Sequence, residues 1–123
     1  MEAEQNVAIR PSKWLYPVIL VLLQEENSYG YEVMERLQEE FGFEQIESGT
    51  VYRTLRQMEN DGFCQTEWEP LEGGHARRMY SITEAGEEFL DAWVEACEQY
   101  RRIEDTLSQV YRRSRTPRSS SEQ

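Results

Sequence analysis

Residues 49–63 read GTVYRTLRQMENDGF, and whether they form a helix decides how the chain is organised. At about 100° per residue, Val51, Leu55 and Met58 fall on one side, at spacings of four and three. That is the apolar stripe by which a helix docks on a core. Gly49, Arg53, Arg56 and Asn60 fall on the opposite side, flanked by Thr50 and Gln57, with Tyr52 near the boundary and Thr54 at the edge of the apolar stripe. Ser48 stands where a hydroxyl accepts from the free amides of a first turn, and Gly62 where a left-handed residue stops a helix. The segment reads as a short, capped helix with one face for a core and one face on offer.

Upstream, Trp14, Leu15, Val18, Ile19, Leu22 and Leu23 predict a largely buried helix beginning near Trp14, with Pro17 in its first turn, where a missing amide costs little. After Ser28, read as a cap, YGYEVMERLQEEFG lines Tyr29, Val33, Leu37 and Phe41 along one side with Met34 beside them, and Gly42 as a stop. The linker FEQIES then leads into the helix at 49–63. Three helices joined by short connections have the spacing of a helix-turn-helix unit.

Downstream, FCQTEW sets Cys64, Thr66 and Trp68 against Phe63, Gln65 and Glu67, and RRMYSI sets Arg77, Met79 and Ser81 against Arg78, Tyr80 and Ile82. A period of two marks half-buried strands, and EPLEGGHA between them supplies a longer hairpin loop. Tyr80 and Ile82 are core candidates. Thr83 then caps a long helical run whose acidic residues crowd its start and whose arginines crowd its end, as the helix dipole favours. Within it Phe89, Trp93, Ala96, Tyr100, Ile103, Leu107 and Val110 alternate spacings of four and three, three heptads of seam. A partner helix, most simply from a second copy, is the expected cover. The fold class expected is mainly α with a small β-hairpin: a winged helix-turn-helix at 14–82, a dimerisation helix at 83–113, a flexible arm at 1–13 and a disordered tail at 114–123.

The chain has 123 residues, enough for one domain with a modest core. MEAEQNVAIRPSK lacks the pattern of a signal peptide, and WLYPVILVLL is about half of the roughly 20 residues a membrane helix needs, so a soluble, cytoplasmic protein with no membrane partner is expected. Cys64 and Cys97 are read as reduced structural thiols and His75 as a loop residue, since the three have none of the usual metal-ligand spacing. No metal site and no cofactor are expected. One histidine, no phosphate-binding glycine loop before a helix and no nucleophile motif also leave no enzyme chemistry assembled. Net charge is −11, divided as −7 over residues 1–47, −1 over 48–82 and −3 over 83–123. Acidity taken alone argues against nucleic acid and for an acidic winged-helix module that binds another protein. The candidate helix nevertheless lies in the least acidic third.

YGYEVMERL, GTVYRTLRQMENDGF and RRMYSITEAGEEFL, in this order and spacing, resemble the PadR family of bacterial transcriptional regulators over roughly residues 14–112. The resemblance implies a winged helix-turn-helix homodimer, paired through its C-terminal helices, that represses genes from a palindromic operator in double-stranded DNA. Gly49, Thr50 and Tyr52 match the GT-x-Y element, Arg77 and Tyr80 the wing, and Thr83 with Gly86 the turn into the last helix. Many members carry proline after the tyrosine, where this chain has Arg53. The run VYRTLRQMENDGF…EWE…RRMYSIT is also similar to the branch described as polyhydroxybutyrate-responsive repressors.

A major groove admits a helix, and arginine, asparagine and glutamine can each pair a base edge with two hydrogen bonds. Arg53, Arg56, Gln57 and Asn60 are therefore the candidate base readers. Ser48, Gly49, Thr50, Tyr52 and the amides at the helix start suit phosphate. Arg77 and Arg78 lie on opposite strand faces, so one can reach DNA while the other packs or pairs; Arg10 and Lys13 are generic phosphate candidates. The bland alternative is an ordinary solvated polar face. Trp14, Trp68 and Trp93 admit a flat small-molecule effector, with Trp93 on the seam, although core or interface packing is the favoured account of them.

Overall fold

The structure, a computed structural model, describes residues 11–71, 73–74 and 76–117. Arg10, the greater part of the expected arm, His75 and residues 118–123 of the expected tail lie outside the described residues, as does the side chain of Lys13. The chain divides into two compact units after Asp91. The elements are α1 (Pro11–Glu25), β1 (Ser28–Tyr29), α2 (Gly30–Phe41), α3 (Ser48–Asn60), β2 (Cys64–Pro70), β3 (Ala76–Ile82) and α4 (Glu84–Arg115). Among the described residues, no helix is long and apolar enough to cross a membrane.

The first unit is built around α1. Leu15, Ile19, Leu20, Leu22 and Leu23 are buried with Val33 and Leu37 of α2, Val51, Leu55 and Met58 of α3, Cys64 and Tyr80 of the sheet and Leu90 of α4. Full burial of such side chains is worth about 1.5–3 kcal/mol each, enough to override local conflicts. Pro17 is one: α1 starts at Pro11, ahead of the expected Trp14, so Pro17 lies inside the helix and not in its first turn. An interior proline costs about 3 kcal/mol, and the apolar side chains around it in α1 offset that.

Ser28 corrects a second expectation. Its backbone and that of Tyr29 form β1, paired antiparallel with β3 through Ser28↔Tyr80 and Tyr29↔Met79, so the sheet has three strands in the order β1-β3-β2. Buried backbone polar groups must find partners, and pairing with β3 delays the helix by one residue. Tyr29, not Ser28, then caps α2, and its N–H is met by Glu32 Oε1 at 2.8 Å. Ser28 is buried and donates to the Glu26 carbonyl at 3.0 Å. Gly42 closes α2 at φ +68, the left-handed stop its position predicts.

The second unit contains the remainder of α4. Its acidic start (Glu84, Glu87) and basic end (Arg112, Arg113, Arg115) follow the expected dipole pattern. Tyr100, Ile103, Leu107 and Val110 are all exposed in the single chain.

Candidate functional site

α3 is laid down as its sequence dictates. Val51, Leu55 and Met58 have no exposed surface, while Gly49, Arg53, Arg56, Gln57 and Asn60 are exposed and Thr50, Tyr52 and Thr54 are half-buried. Its cap departs from expectation: Glu47, still extended at ψ 145, receives the Thr50 and Val51 amides on its carbonyl at 3.0 and 3.3 Å. Ser48 is already helical and exposed. The other end turns at Gly62, φ +84, where Phe63 N–H returns to the Met58 carbonyl at 2.9 Å.

On the exposed face Arg53 donates to Thr50 Oγ1 at 3.3 Å. Gln57 is drawn toward the helix end, its amide donating to Asp61 Oδ1 at 3.1 Å while Tyr16 of α1 donates to Oδ2 of the same carboxylate at 2.8 Å. Burial, that hydrogen bond and the Asp61 charge push Tyr16 up to about 12, so its hydroxyl remains a donor at neutral pH. Tyr16 joins Arg53, Arg56, Gln57 and Asn60 in lining a shallow groove. Sequence reading missed it because the phenol arrives from a helix otherwise committed to the core.

Two of the sequence motifs meet at a single contact. A Cβ built on Gly30 would overlap the Tyr52 ring, with Cδ1 at 3.3 Å. The glycine between the two tyrosines of YGYE is thus the space into which the tyrosine of GT-x-Y packs. The third motif ends in a similar constraint. Thr83 caps α4, its Oγ1 accepting Gly86 N–H at 3.1 Å and donating to the Gly62 carbonyl at 2.6 Å. Gly86 is buried against the Phe63 backbone. The end of α3, the root of the wing and the start of α4 are tied together there.

The wing pairs β2 with β3 from Cys64↔Ile82 to Pro70↔Ala76. Tyr80 is buried and Ile82 packs on the core, as expected. Trp68 does not share the burial of its strand face: Cys64 is buried, Thr66 half-buried and Trp68 64% exposed, because the hairpin runs past the core. The two wing arginines do lie on opposite faces, and each has a carboxylate. Arg78 Nη2 reaches Glu59 of α3 at 2.6 Å and Thr66 Oγ1 at 2.9 Å, and Thr66 in turn donates to Glu59 at 3.0 Å. This network clamps the wing to α3. Arg77 lies 3.7 Å over the Tyr29 ring, 4.0 Å from Glu69, with Nη1 at 3.4 Å from the Tyr31 hydroxyl. Between α3, the start of α2 and the wing is a cleft of about 340 Å³, lined by Tyr29, Tyr31, Tyr52, Arg56, Trp68, Arg77 and Arg78.

The expected seam divides along α4. Phe89 is turned into the chain's own core, stacked on Phe63 at 4.5 Å and tilted against Tyr16 at 6.0 Å. Phe89 is thereby half-buried within its own chain. Trp93 and Ala96 are half-buried, and from Tyr100 onward the stripe is open.

The family described as "Transcriptional regulator PadR-like family" matches residues 19–92, from the middle of α1 to α4. The Mycobacterium tuberculosis protein named "Probable transcriptional regulator Rv1176c" is 34% identical over 77 residues, which are 62% of this chain and 41% of that protein, so the match spans less than half the length of this relative. A PadR-like transcriptional regulator from Bacillus cereus shares the fold at a TM-score of 0.70 and 26% identity, over 79% of this chain and 93% of its own. Bacillus subtilis PadR, solved in complex with operator DNA, does so at 0.61 and 26%, over 65% of this chain and 46% of its own. The family match covers more than half of the sequence, and the chain belongs to the PadR-like family of transcriptional regulators.

Proposed function

We propose that this chain is a sequence-specific DNA-binding regulator that acts as a homodimeric repressor on a palindromic operator. The observation that carries the reading is α3: its buried stripe fixes it on the core while Gly49, Arg53, Arg56 and Asn60 stay exposed on the opposite face. In this reading Arg53, Arg56, Gln57 and Asn60 meet base edges. Ser48, Gly49, Thr50 and Tyr52 meet phosphate at the helix start. Of the wing pair, Arg78 serves chiefly to hold the wing against α3, and Arg77 is the DNA-facing cation. That Bacillus subtilis PadR was solved in complex with operator DNA supports the DNA-binding reading by analogy. Domain roles follow: DNA binding to residue 82 and dimerisation over 83–115, since α1 takes residues 11–13 from the expected arm and α4 takes residues 114–115 from the expected tail.

The exposed stripe Tyr100, Ile103, Leu107 and Val110 supports pairing with a second copy. A flat small molecule held near Trp93 is the effector we propose, and release of a polyhydroxybutyrate-linked regulon is the branch-level reading. With only Arg53, Arg56 and Arg77 as the available cations, and the first two assigned to base edges, each subunit neutralises at most about three phosphates, for a log–log salt slope no steeper than about −3 per subunit.

The test is a titration of labelled DNA from the gene's own upstream region, at several salt concentrations, repeated with Arg53 and Arg56 changed to alanine. Binding lost in the double variant supports the reading. Absent binding, or binding indifferent to those changes, favours the acidic protein-interaction module. A slope implying ten or more phosphates per subunit contradicts the charge argument.

A further inference from the structure

The two wing arginines are held in different ways, and the difference points to a subsite. Arg78 donates from Nη2 at 2.6 and 2.9 Å. Such short bonds to a carboxylate and a hydroxyl commit that side chain to the protein. Arg77 is positioned mainly by stacking, its guanidinium 3.7 Å above the Tyr29 ring. Its Nε, like that of Arg78, has no hydrogen-bond partner, but where Arg78 Nη2 is held at 2.6 Å by a carboxylate, the carboxylate oxygen beside Arg77, Glu69 Oε1, is 4.0 Å away. The same oxygen accepts the Tyr29 hydroxyl. Tyr29 and Tyr31 are stacked, 5.8 Å apart and 7° from parallel; the Tyr31 hydroxyl lies 3.4 Å from Arg77 Nη1, and the Tyr29 hydroxyl shares with Arg77 the Glu69 oxygen, which brings the three side chains to one corner of the cleft. Arg56 and Arg78 line that cleft as well. Glu32 is taken by the Tyr29 amide and Glu59 by Arg78, so Glu69 is the acidic side chain that faces the Tyr29 hydroxyl and Arg77.

We propose that this Tyr29–Tyr31–Arg77 corner is a phosphate seat, held in the DNA-free protein by the Glu69 carboxylate, which a backbone phosphate of the operator displaces. The inference rests on the DNA-binding reading above and adds a subsite to it. The chemistry of the exchange is balanced: one anionic oxygen acceptor leaves the tyrosine hydroxyl and the guanidinium, and another takes its place. It is also cheap. Glu69 and Arg77 are 43% and 36% exposed, and pairs so exposed contribute little. A phosphate engaging the freed guanidinium gains counterion release in addition. Glu69 therefore tunes affinity downward and makes the wing's contribution conditional on a correctly placed backbone.

The experiment is the upstream-DNA titration across salt concentrations, with wild type, Glu69→Gln, Glu67→Gln and Arg77→Gln compared at equal protein. Glu67 lies two residues earlier on β2, opposite Met79, and controls for loss of one negative charge from the same strand. Glu69→Gln is expected to bind roughly threefold more tightly per subunit and to exceed any gain from Glu67→Gln. Arg77→Gln is expected to weaken binding and flatten the salt slope by about 0.9 per subunit. Thermal melts of both variants keep a folding defect from passing as a binding effect. A Glu69→Gln gain no larger than that of Glu67→Gln, or an unchanged slope in Arg77→Gln, overturns the seat. If Arg53 and Arg56 remain essential in the same assay, the DNA reading survives that failure; if wild type does not bind, both fall.

Discussion

Replacing Gly86 by alanine sets two effects of known size against each other. In a helix interior, alanine is favoured over glycine by about 1 kcal/mol, so propensity alone predicts a more stable protein. The structure predicts the reverse. A Cβ at residue 86 would overlap the Phe63 carbonyl oxygen and stand 2.8 Å from Ile82 Cγ1 and 3.1 Å from the Phe63 carbonyl carbon. That carbonyl cannot swing aside without losing the Thr83 amide it accepts at 3.1 Å. Overpacking costs about 1–3 kcal/mol, and a clash with tethered backbone belongs at the upper end. Subtracting the propensity gain leaves a net loss of about 2 kcal/mol, or a Tm roughly 8 °C lower at about 4 °C per kcal/mol. Thermal denaturation at fixed protein concentration measures it, since the proposed dimerisation would make Tm concentration-dependent. Gly49→Ala is the matched control: its new methyl would meet only Arg53 Nη1, at an ordinary 3.6 Å. It should hold or raise Tm by a few degrees. If Gly86→Ala melts at or above wild type while Gly49→Ala behaves as expected, the packing argument is wrong.

Gly30→Ala should act on binding more than on folding, because the methyl displaces the Tyr52 ring; a several-fold loss of operator affinity with a small change in Tm is the expected pattern, read by titration and melt together. Leu107→Glu places a charge in the exposed stripe of α4 and should shift the protein to monomer in sedimentation velocity, with the helical circular dichroism of the first unit kept. Burial, together with the nearby Glu59 charge, pushes the Cys64 thiol up to about 11 from an ordinary 9.0. The folded chain thus keeps a proton that the unfolded chain releases. Its contribution to stability is full below pH 9 and is lost as pH rises toward 11. Cys64→Val should flatten that part of the stability profile, and in wild type a thiol reagent should reach Cys64 only after denaturation.

What could be read from the sequence was what depends on periodicity and local chemistry. Val51, Leu55 and Met58 recur at helical spacing because a single face of α3 is buried. Gly42 and Gly62 are left-handed because a helix that must stop needs such a residue. The errors lie where a distant partner overrules the neighbours in sequence. Ser28 has the chemistry of a cap, yet β3 takes its backbone into the sheet. Trp68 alternates like a core residue, yet nothing in its own strand records where the core ends. Phe89 continues a heptad seam, and the spacing does not record that Phe63 and Tyr16 also pack against it. The alternation puts Arg77 and Arg78 on opposite faces, so that one packs or pairs, but does not say which carboxylate each meets. Their pairing with Glu69 and Glu59 depends on the strand register and on the proximity of the wing to α3, neither of which periodicity contains.

Those pairings change the meaning of the net charge of −11. As a long-range field, exposed acidity acts weakly, because charges more than about 8 Å apart are largely screened at physiological salt. Its stronger effect is local, at contact distance. Glu59 fixes Arg78 and with it the wing, Asp61 draws Gln57 and Tyr16 together at the end of α3, and Glu69 stands beside Arg77. Three carboxylates from the least acidic third of the chain thus hold side chains on or beside the candidate DNA face. A surface organised in this way gives up affinity for backbone in general and keeps it for a ligand that presents several groups in the right places at once. Neutralising these carboxylates should therefore raise nonspecific affinity more than operator affinity. Competition titrations with random-sequence DNA would measure the difference: for Glu69→Gln the ratio of operator to nonspecific binding should fall even as both constants rise, and a ratio that held or increased would show that the carboxylate contributes nothing to discrimination.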